Sequence, residues 1–260
     1  MDVIVLLKQV PSTESIIEIA ADGISIKTDE LKWVINPYDE FAVEEALRIR
    51  EAHGGTVTIL TLGREKASEA VRTALAMGAD KGILISDPAL EGCDNLATAK
   101  VLAAAAKQLP CELIIAGQRA VDDDAYAVGA AVAEAFQIPS IAMVTKVEIT
   151  DQGIRCHRTI DGGIGVVEAP LPALITTQRG LNDPRYASLP GIMKAKKKPL
   201  DMPSLSDLNI DPQVLVQNKI KITALSLPPE RQGGTVIGGE SPQEKAAELV
   251  RILHEKEKVI

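Results

Sequence analysis

Apolar residues in the first half of the chain fall into four short, nearly unbroken runs. "VIVLL" (3–7), "VTILTL" (57–62), "GILIS" (82–86) and "ELIIAG" (112–117) are rich in β-branched residues and bounded by turn signals. A strand wetted on one face alternates polar and apolar positions. A run that is apolar almost throughout predicts a strand covered on both faces, as in a parallel sheet. Between these runs the period changes. In 37–52 Phe41, Ala42, Ala46, Leu47 and Ile49 share one side. In 64–77 Ala67, Ala70, Val71, Ala74 and Leu75 do the same, and Gly78 follows as a stop. Alternation of strand and helix predicts right-handed βαβ units and a layered α/β fold.

Helix starts are well marked. "NPYD" offers Asn36 as N-cap, Pro37 at the first helical position and Asp39 three residues after the cap. Glu40, Glu44 and Glu45 suit the positive end of the helix dipole, Arg48 and Arg50 the negative end, and Glu44 and Arg48 lie one turn apart. "SPQE" (241–244) repeats the device before an amphipathic C-terminal helix, "KAAELVRILHEKEK". After Pro139 the texture alternates, with turns at Asp151-Gln152-Gly153 and Asp161-Gly162-Gly163, which predicts antiparallel hairpins through "ALITT". Beyond Arg185 the chain is basic and punctuated by proline ("LPGIMKAKKKPLDMP"). Roughly fifty weakly periodic residues are unusual inside a compact domain, so they predict an arm that lies on another protein. The expected division is a nucleotide-binding α/β domain over 1–189 and an arm with its helix over 190–260.

Composition narrows the choice of partner. At 260 residues the chain can bury one large or two modest cores. A net charge of −8 and only 2% aromatic residues exclude general nucleic-acid binding, which needs a basic surface or a stacking platform. No apolar run reaches the roughly eighteen residues of a membrane span, and "MDVIVLLKQVP" does not read as a signal peptide. Cys93, Cys111 and Cys156 show no CxxC spacing and read as reduced thiols of a cytoplasmic protein. Histidines occur singly at His53, His157 and His254, a poor basis for a zinc site.

Open α/β sheets bind ligands at the carboxyl ends of their strands. Here those exits are Leu6 to Val10, Asn36 to Asp39, Leu62-Gly63 and the loop 117–129, "GQRAVDDDAYAVG"; Ser86-Asp87-Pro88 contributes less obviously. Together they could cradle a phosphate with backbone amides and a helix N-terminus, although such turns also occur without a ligand. Asp122, Asp123 and Asp124 are three consecutive carboxylates and do not easily converge on one cation. Capping and charge-stabilising a following helix needs no ligand and fits them better. There is no GxGxxG, P-loop or GxSxG, so any chemistry would reside in a cofactor or a partner.

"VLLKQVP", "INPYDEFAVEEALR", "RTALAMGAD", "GQRAVDDDAYAVG", "RTIDGG" and "LNDPRYASLPGIMKAKKK", in this order over nearly the whole chain, resemble the β subunit of electron transfer flavoproteins. The resemblance implies a heterodimer with an α subunit, carrying electrons from flavin dehydrogenases such as acyl-CoA dehydrogenases to a membrane quinone reductase or similar acceptor. It implies FAD held mainly by the α subunit and shielded on one side by β, and a structural AMP in β itself. By the resemblance the AMP contacts are Leu6, Asn36, Pro37, Tyr38, Asp39, Leu62, Gly117, Gln118, Arg119, Ala120, Val121, Asp122, Asp123, Asp124, Ala125, Tyr126, Ala127 and Val128. The electron-bifurcating branch carries a second FAD at this place and usually reads "DGDTAQVG". Here the loop reads "DDDAYAVG", and "RTIDGG" and "KAKKK" look like the non-bifurcating branch. Ala125, Tyr126 and Ala127 depart from that branch's polar residues, so backbone amides must supply more of the phosphate contacts. The carboxylates are expected to point away from the phosphate and order the loop.

Leu189 aligns with the family's recognition loop, which inserts an apolar side chain into the dehydrogenase. Pro190, Ile192, Met193, Lys194 and Lys197 accompany it as expected docking residues, with lysines steering the encounter. A run of four lysines (Lys194, Lys196, Lys197, Lys198) is otherwise simply a solvated tail. Thr159 stands where some relatives carry a glutamate facing the flavin, so no electrostatic role transfers to it. Two rivals share the core fold: a stand-alone nucleotide-binding module of the universal-stress type, which has no use for the arm, and an adenylating enzyme, whose activating loop is missing.

Overall fold

The computed structural model describes residues 1–211, 219–230 and 233–260; positions 212–218 and 231–232 of the expected arm lie outside the described residues. The elements run β1 (Val3–Leu6), β2 (Gln9–Pro11), β3 (Trp33–Ile35), α1 (Pro37–His53), β4 (Val57–Leu62), α2 (Ser68–Met77), β5 (Lys81–Ile85), α3 (Asn95–Ala106), β6 (Leu113–Gly117) and α4 (Val128–Phe136). They continue as β7 (Ser140–Thr150), β8 (Gly153–Ile160), β9 (Gly163–Ala169), β10 (Ala173–Thr177), α5 (Leu189–Ala195), β11 (Leu200–Asp201) and a C-terminal helix Pro242–Arg251. All four predicted apolar runs are strands.

They lie in a nine-stranded sheet of order β11-β5-β4-β1-β6-β10-β7-β8-β9. Neighbours from β11 to β7 are parallel, and β7–β8–β9 form an antiparallel wing. Successive side chains of a strand face opposite sides, and β1 feeds two separate cores. Val3 and Val5 pack with α1 and α2, whereas Ile4 and Leu6 pack with α3 and α4. Leu113 and Ile115 against Ile114 and Ala116 repeat the division on β6. Burial on both faces is why these strands lack polar alternation. Fully buried Leu47, Ile59 and Ile115 each contribute about 1.5–3 kcal/mol by leaving water.

The hairpin reading after Pro139 holds for β7, β8 and β9 and fails for "ALITT". That segment is β10, inserted parallel between β6 and β7 rather than appended to the wing. All five of its residues are buried, the signature of an interior strand. Its register to β6 aligns Ile175 with Ile115 and Thr177 with Gly117.

The chain after Ser188 returns to the body. Ser188 caps α5 by accepting from the Gly191 amide at 3.1 Å, and Ala195 is buried. Arg72 of α2 donates to the Ala195 and Lys198 carbonyls at 2.6 and 2.7 Å. In return, Lys198 Nζ donates to the carbonyls of Leu75, Gly78 and Ala79 at the end of α2. A helix end leaves such carbonyls without intrahelical partners, so this ammonium acts as a C-terminal cap. Lys198 is therefore no part of a solvated tail, unlike exposed Lys194, Lys196 and Lys197. β11 then pairs with β5, and Leu205 and Leu208 are buried beneath the sheet's second face.

Farther on, Ile220, Ile222, Leu227 and Val236 are exposed. The arm meets the body where the Leu225 amide donates to the Gly23 carbonyl and the Lys219 amide donates to Asp94, both at 2.8 Å. Ser241 caps the C-terminal helix as its sequence predicts, accepting from the Glu244 amide at 3.2 Å, yet that helix buries none of its residues.

One ion-pair cluster fastens the approach to α5. Arg185 spans Glu44 and Glu51 of α1, with Nε 2.8 Å from Glu44 Oε2 and Nη1 2.5 Å from Glu51 Oε1. Glu44 is buried and also meets Arg48 at 2.7 Å, the pair expected from their spacing. Burial pushes the Glu44 carboxyl up, but hydrogen bonds from Arg185 and Arg48 outweigh it and hold the group below its usual range. A depressed carboxyl contributes stability above its unfolded pKa, about 4.3, and that contribution is lost as pH falls through the lower folded value. Arg185→Met should cost about 1–3 kcal/mol at pH 7 by urea denaturation, because Glu44 loses its main donors. The gap between variant and wild type should close as the pH falls below about 4; a gap of the same size at pH 3 would refute the assignment.

Candidate functional site

In the sheet, β4 and β5 extend to one side of β1 while β6 returns to the other. Strand order reverses there, and the helices that follow diverge, leaving a crevice at the carboxyl edge. A cavity of about 290 Å³ occupies it. Leu6, Leu62 and Gly117, at the ends of β1, β4 and β6, form its floor. Leu90, Leu102 and Val128 give it an apolar side, and Lys8, Asn36, Gln118 and Arg119 a polar one. Ala127, Val128 and Gly129, at the start of α4, also line it.

Asn36 and Asp39 hold this edge together, and they do so differently from the expected cap. The Asn36 side chain makes no capping bond to α1. Its Nδ2 donates to the Arg119 carbonyl at 2.8 Å and to Asp39 Oδ1 at 3.0 Å, while its Oδ1 accepts from the Val121 amide at 3.2 Å. Asp39 Oδ2 accepts from the Lys8 amide at 2.7 Å and Oδ1 from the Gly117 amide at 3.0 Å. One carboxylate thus joins the exits of β1 and β6, and its amide neighbour reaches the loop. Both side chains are buried. A Cβ on residue 117 would collide with the Asp39 carboxylate and with Tyr38, which explains the glycine. Burial pushes the Asp39 carboxyl up to about 7, against three hydrogen bonds and the Lys8 charge that favour its ionised form.

The acid triplet orders the loop but does not cap α4, whose N-cap position is Ala127 and has no side-chain bond. The helix starts four residues after Asp124, beyond a cap's reach. Instead, Lys8 Nζ lies 2.8 Å from Asp122 Oδ1 and 3.4 Å from Asp123 Oδ2. Asp123 Oδ1 accepts from the Ala125 amide at 3.2 Å. Asp124 meets Arg119 Nη1 at 2.6 Å. The Arg119 guanidinium also lies 5.0 Å from the ring centre of Tyr38 and 5.6 Å from that of Tyr126, within cation–π range. Asp124 and Tyr126 have φ of 48° and 55°, uncommon for residues with a side chain.

Of the residues expected around a nucleotide, Leu6, Asn36, Asp39, Leu62, Gly117 to Ala120, Asp123 and Ala125 to Val128 line the cavity. Pro37, Tyr38, Val121, Asp122 and Asp124 stand behind that wall. Leu7, Lys8 and Gly129, within the strand exits chosen from the sequence, line it too; the unanticipated wall is a group from Leu90 to Leu102 that includes Cys93, Asn95 and Thr98. Alanine-rich α3 carries little amphipathic signal, which hid the latter group. Leu189, Pro190, Ile192, Met193 and Lys194 are exposed together on α5, with exposed Lys197 just beyond, far along the chain from the cavity loop. Thr159 is exposed on β8.

An apolar side for a flat ring, a polar side, and free amides at a helix start suit a nucleoside phosphate. Among the described residues that line the cavity, no activated nucleophile accompanies them. Burial and the neighbouring Asp94 raise the pKa of the Cys93 thiol, which makes it a poor one. Asp39→Asn tests the strand clamp. At pH 8 the carboxylate is ionised, and an amide in its place turns one acceptor into a donor facing backbone N–H groups. The change should cost about 1–3 kcal/mol in urea denaturation and speed hydrogen exchange at Lys8 and Gly117; unchanged exchange at both would contradict the clamp.

Comparison with known proteins agrees with this architecture. The electron transfer flavoprotein domain matches residues 24–208. The electron transfer flavoprotein subunit beta of Bacillus subtilis is 42% identical, with 100% of each chain covered. The caffeyl-CoA reductase-Etf complex subunit CarD of Acetobacterium woodii is 36% identical over 98% of this chain and 99% of its own. The electron transfer flavoprotein subunit beta of Bos taurus is 34% identical over 96% of each. Proteins of this kind transfer electrons, and flavin is associated at the level of a heterodimer of α and β subunits. The chain belongs to the electron transfer flavoprotein family, on its β-subunit side.

Proposed function

We propose that this chain is the β subunit of a cytoplasmic electron carrier that keeps AMP in the switch-point cavity as a structural element. Its α partner holds the redox FAD, which β shields on one side. The observation that carries the reading is the cavity itself, which combines apolar residues, polar residues and the start of α4 in its lining. At about 290 Å³ it is on the scale of small-ligand clefts, which suits a nucleotide. AMP brings no redox chemistry; FAD, when bound, supplies the electron-accepting ring. The exposed apolar residues of the arm and the unburied C-terminal helix suit an α subunit as their cover.

Electrons arrive from a flavin dehydrogenase such as an acyl-CoA dehydrogenase, which docks on α5, and leave for a membrane quinone reductase or similar acceptor. Leu189 is 80% exposed on a helix that Arg72 and Lys198 fasten to α2, and exposed Lys194 and Lys197 lie beside it. A rigid apolar anchor ringed by mobile charge is the usual anatomy of a hot spot. The alternative is a bifurcating β subunit with a second FAD at the same place.

Two measurements test this function. Denaturing the purified heterodimer should release one AMP and one FAD, identified by mass and absorbance; two flavins per heterodimer would establish the alternative. Leu189→Ala should weaken docking to the dehydrogenase about ten-fold or more, as expected for loss of a buried anchor, and leave the dimer and its flavin intact. Unchanged transfer kinetics would remove the anchor.

A further inference from the structure

Two cations line the cavity, Lys8 and Arg119, and both are already engaged. Lys8 holds Asp122 and Asp123, and Arg119 holds Asp124. Three carboxylates therefore stand against these two cations: Asp123 lines the cavity, as does Asp39, while Asp122 and Asp124 hold the cations from behind its wall. We propose that Asp122, Asp123 and Asp124 are specificity determinants that limit the negative charge the cavity accepts, admitting a nucleoside monophosphate and rejecting di- and triphosphates. This rests on the nucleotide reading above and adds to it the residues that choose among nucleotides.

The physical argument has two parts. A single phosphate can settle against the free amides at the start of α4, where Ala127, Val128 and Gly129 line the wall, without disturbing either ion pair. Each further phosphate adds about one negative charge and extends from that position along the rim. There it must either take Lys8 or Arg119 away from its carboxylate or sit beside an unneutralised acid. Both routes are unfavourable at short range, where like charges repel across a partly dehydrated wall. The loop also resists giving up its cations. Arg119 is held by Asp124, Tyr38 and Tyr126 together, and its Nη2 donates to the Tyr38 hydroxyl at 3.0 Å. Asp124 and Tyr126 keep their left-handed backbone only while the loop is tied down. Ala125 and Ala127 offer no side-chain donor that could compensate.

The test uses the heterodimer with its α partner, freed of nucleotide, and calorimetric titration with AMP, ADP and ATP at one fixed ionic strength and without divalent cations. Wild type should bind AMP most tightly and lose about ten-fold in affinity per added phosphate, equivalent to ~1.4 kcal/mol at 25 °C. Asp124→Asn is a suitable variant, because asparagine tolerates the positive φ of this position as well as aspartate does. In it, and in Asp122→Asn, ATP affinity should rise about ten-fold while AMP affinity changes several-fold less, since a freed cation serves the outer phosphates. Equal binding of AMP and ATP by wild type would overturn the inference while leaving the nucleotide site intact. So would variants that tighten all three nucleotides by one common factor. Failure of wild type to bind any of the three would overturn the nucleotide reading and this inference with it.

Discussion

At the exits of β1 and β6 the backbone amides of Lys8 and Gly117 need acceptors, and the Asp39 carboxylate accepts from both. Buried polar groups left unpaired cost several times what a made hydrogen bond contributes, so this carboxylate decides how the two strands end. Asn36 extends the same network to the Arg119 carbonyl and the Val121 amide, and thereby fixes where the 117–128 loop leaves the sheet. The cavity at the switch point exists because that loop is held open above the start of α4. From Lys8 to Arg119, this edge takes its position from two side chains at the start of α1.

The sequence made the layers legible and hid the wiring. Apolar runs such as "VTILTL" and "LIIAG" announce strands buried on both faces, because no other arrangement removes every second side chain from water at both surfaces. Asn36 and Asp39 have the spacing of a helix cap, and nothing local distinguishes a cap from a tie to residues more than eighty positions away. Asp122 to Asp124 precede a helix, yet their partners are Lys8 and Arg119 rather than its amides. "ALITT" follows a hairpin in sequence and enters the parallel sheet in space, since burial rather than chain order selects its neighbours. The exits chosen from the sequence, Leu6, Asn36, Leu62 and Gly117, all line one cavity; the wall contributed by α3 was hidden by its uniform alanine content.

Body and extension follow different physics. Up to Leu208 the chain buries apolar residues against one of the two cores. Farther on, Ile220, Ile222 and Leu227 are exposed, and the C-terminal helix is capped but covers nothing. A chain that can satisfy its backbone locally, yet exposes this much apolar surface, has its folding information divided between itself and a companion. Within the electron transfer flavoprotein family β subunits pair with an α subunit.

The basic segment that carries α5 is divided in a way its spelling conceals. Lys198 is bound to three carbonyls at the end of α2, while Lys194, Lys196 and Lys197 reach into solvent. The charge of the outer lysines can consequently change by drift without unseating the platform that presents them. The attachment of this segment and its surface charge thus rest on different residues and can mutate independently.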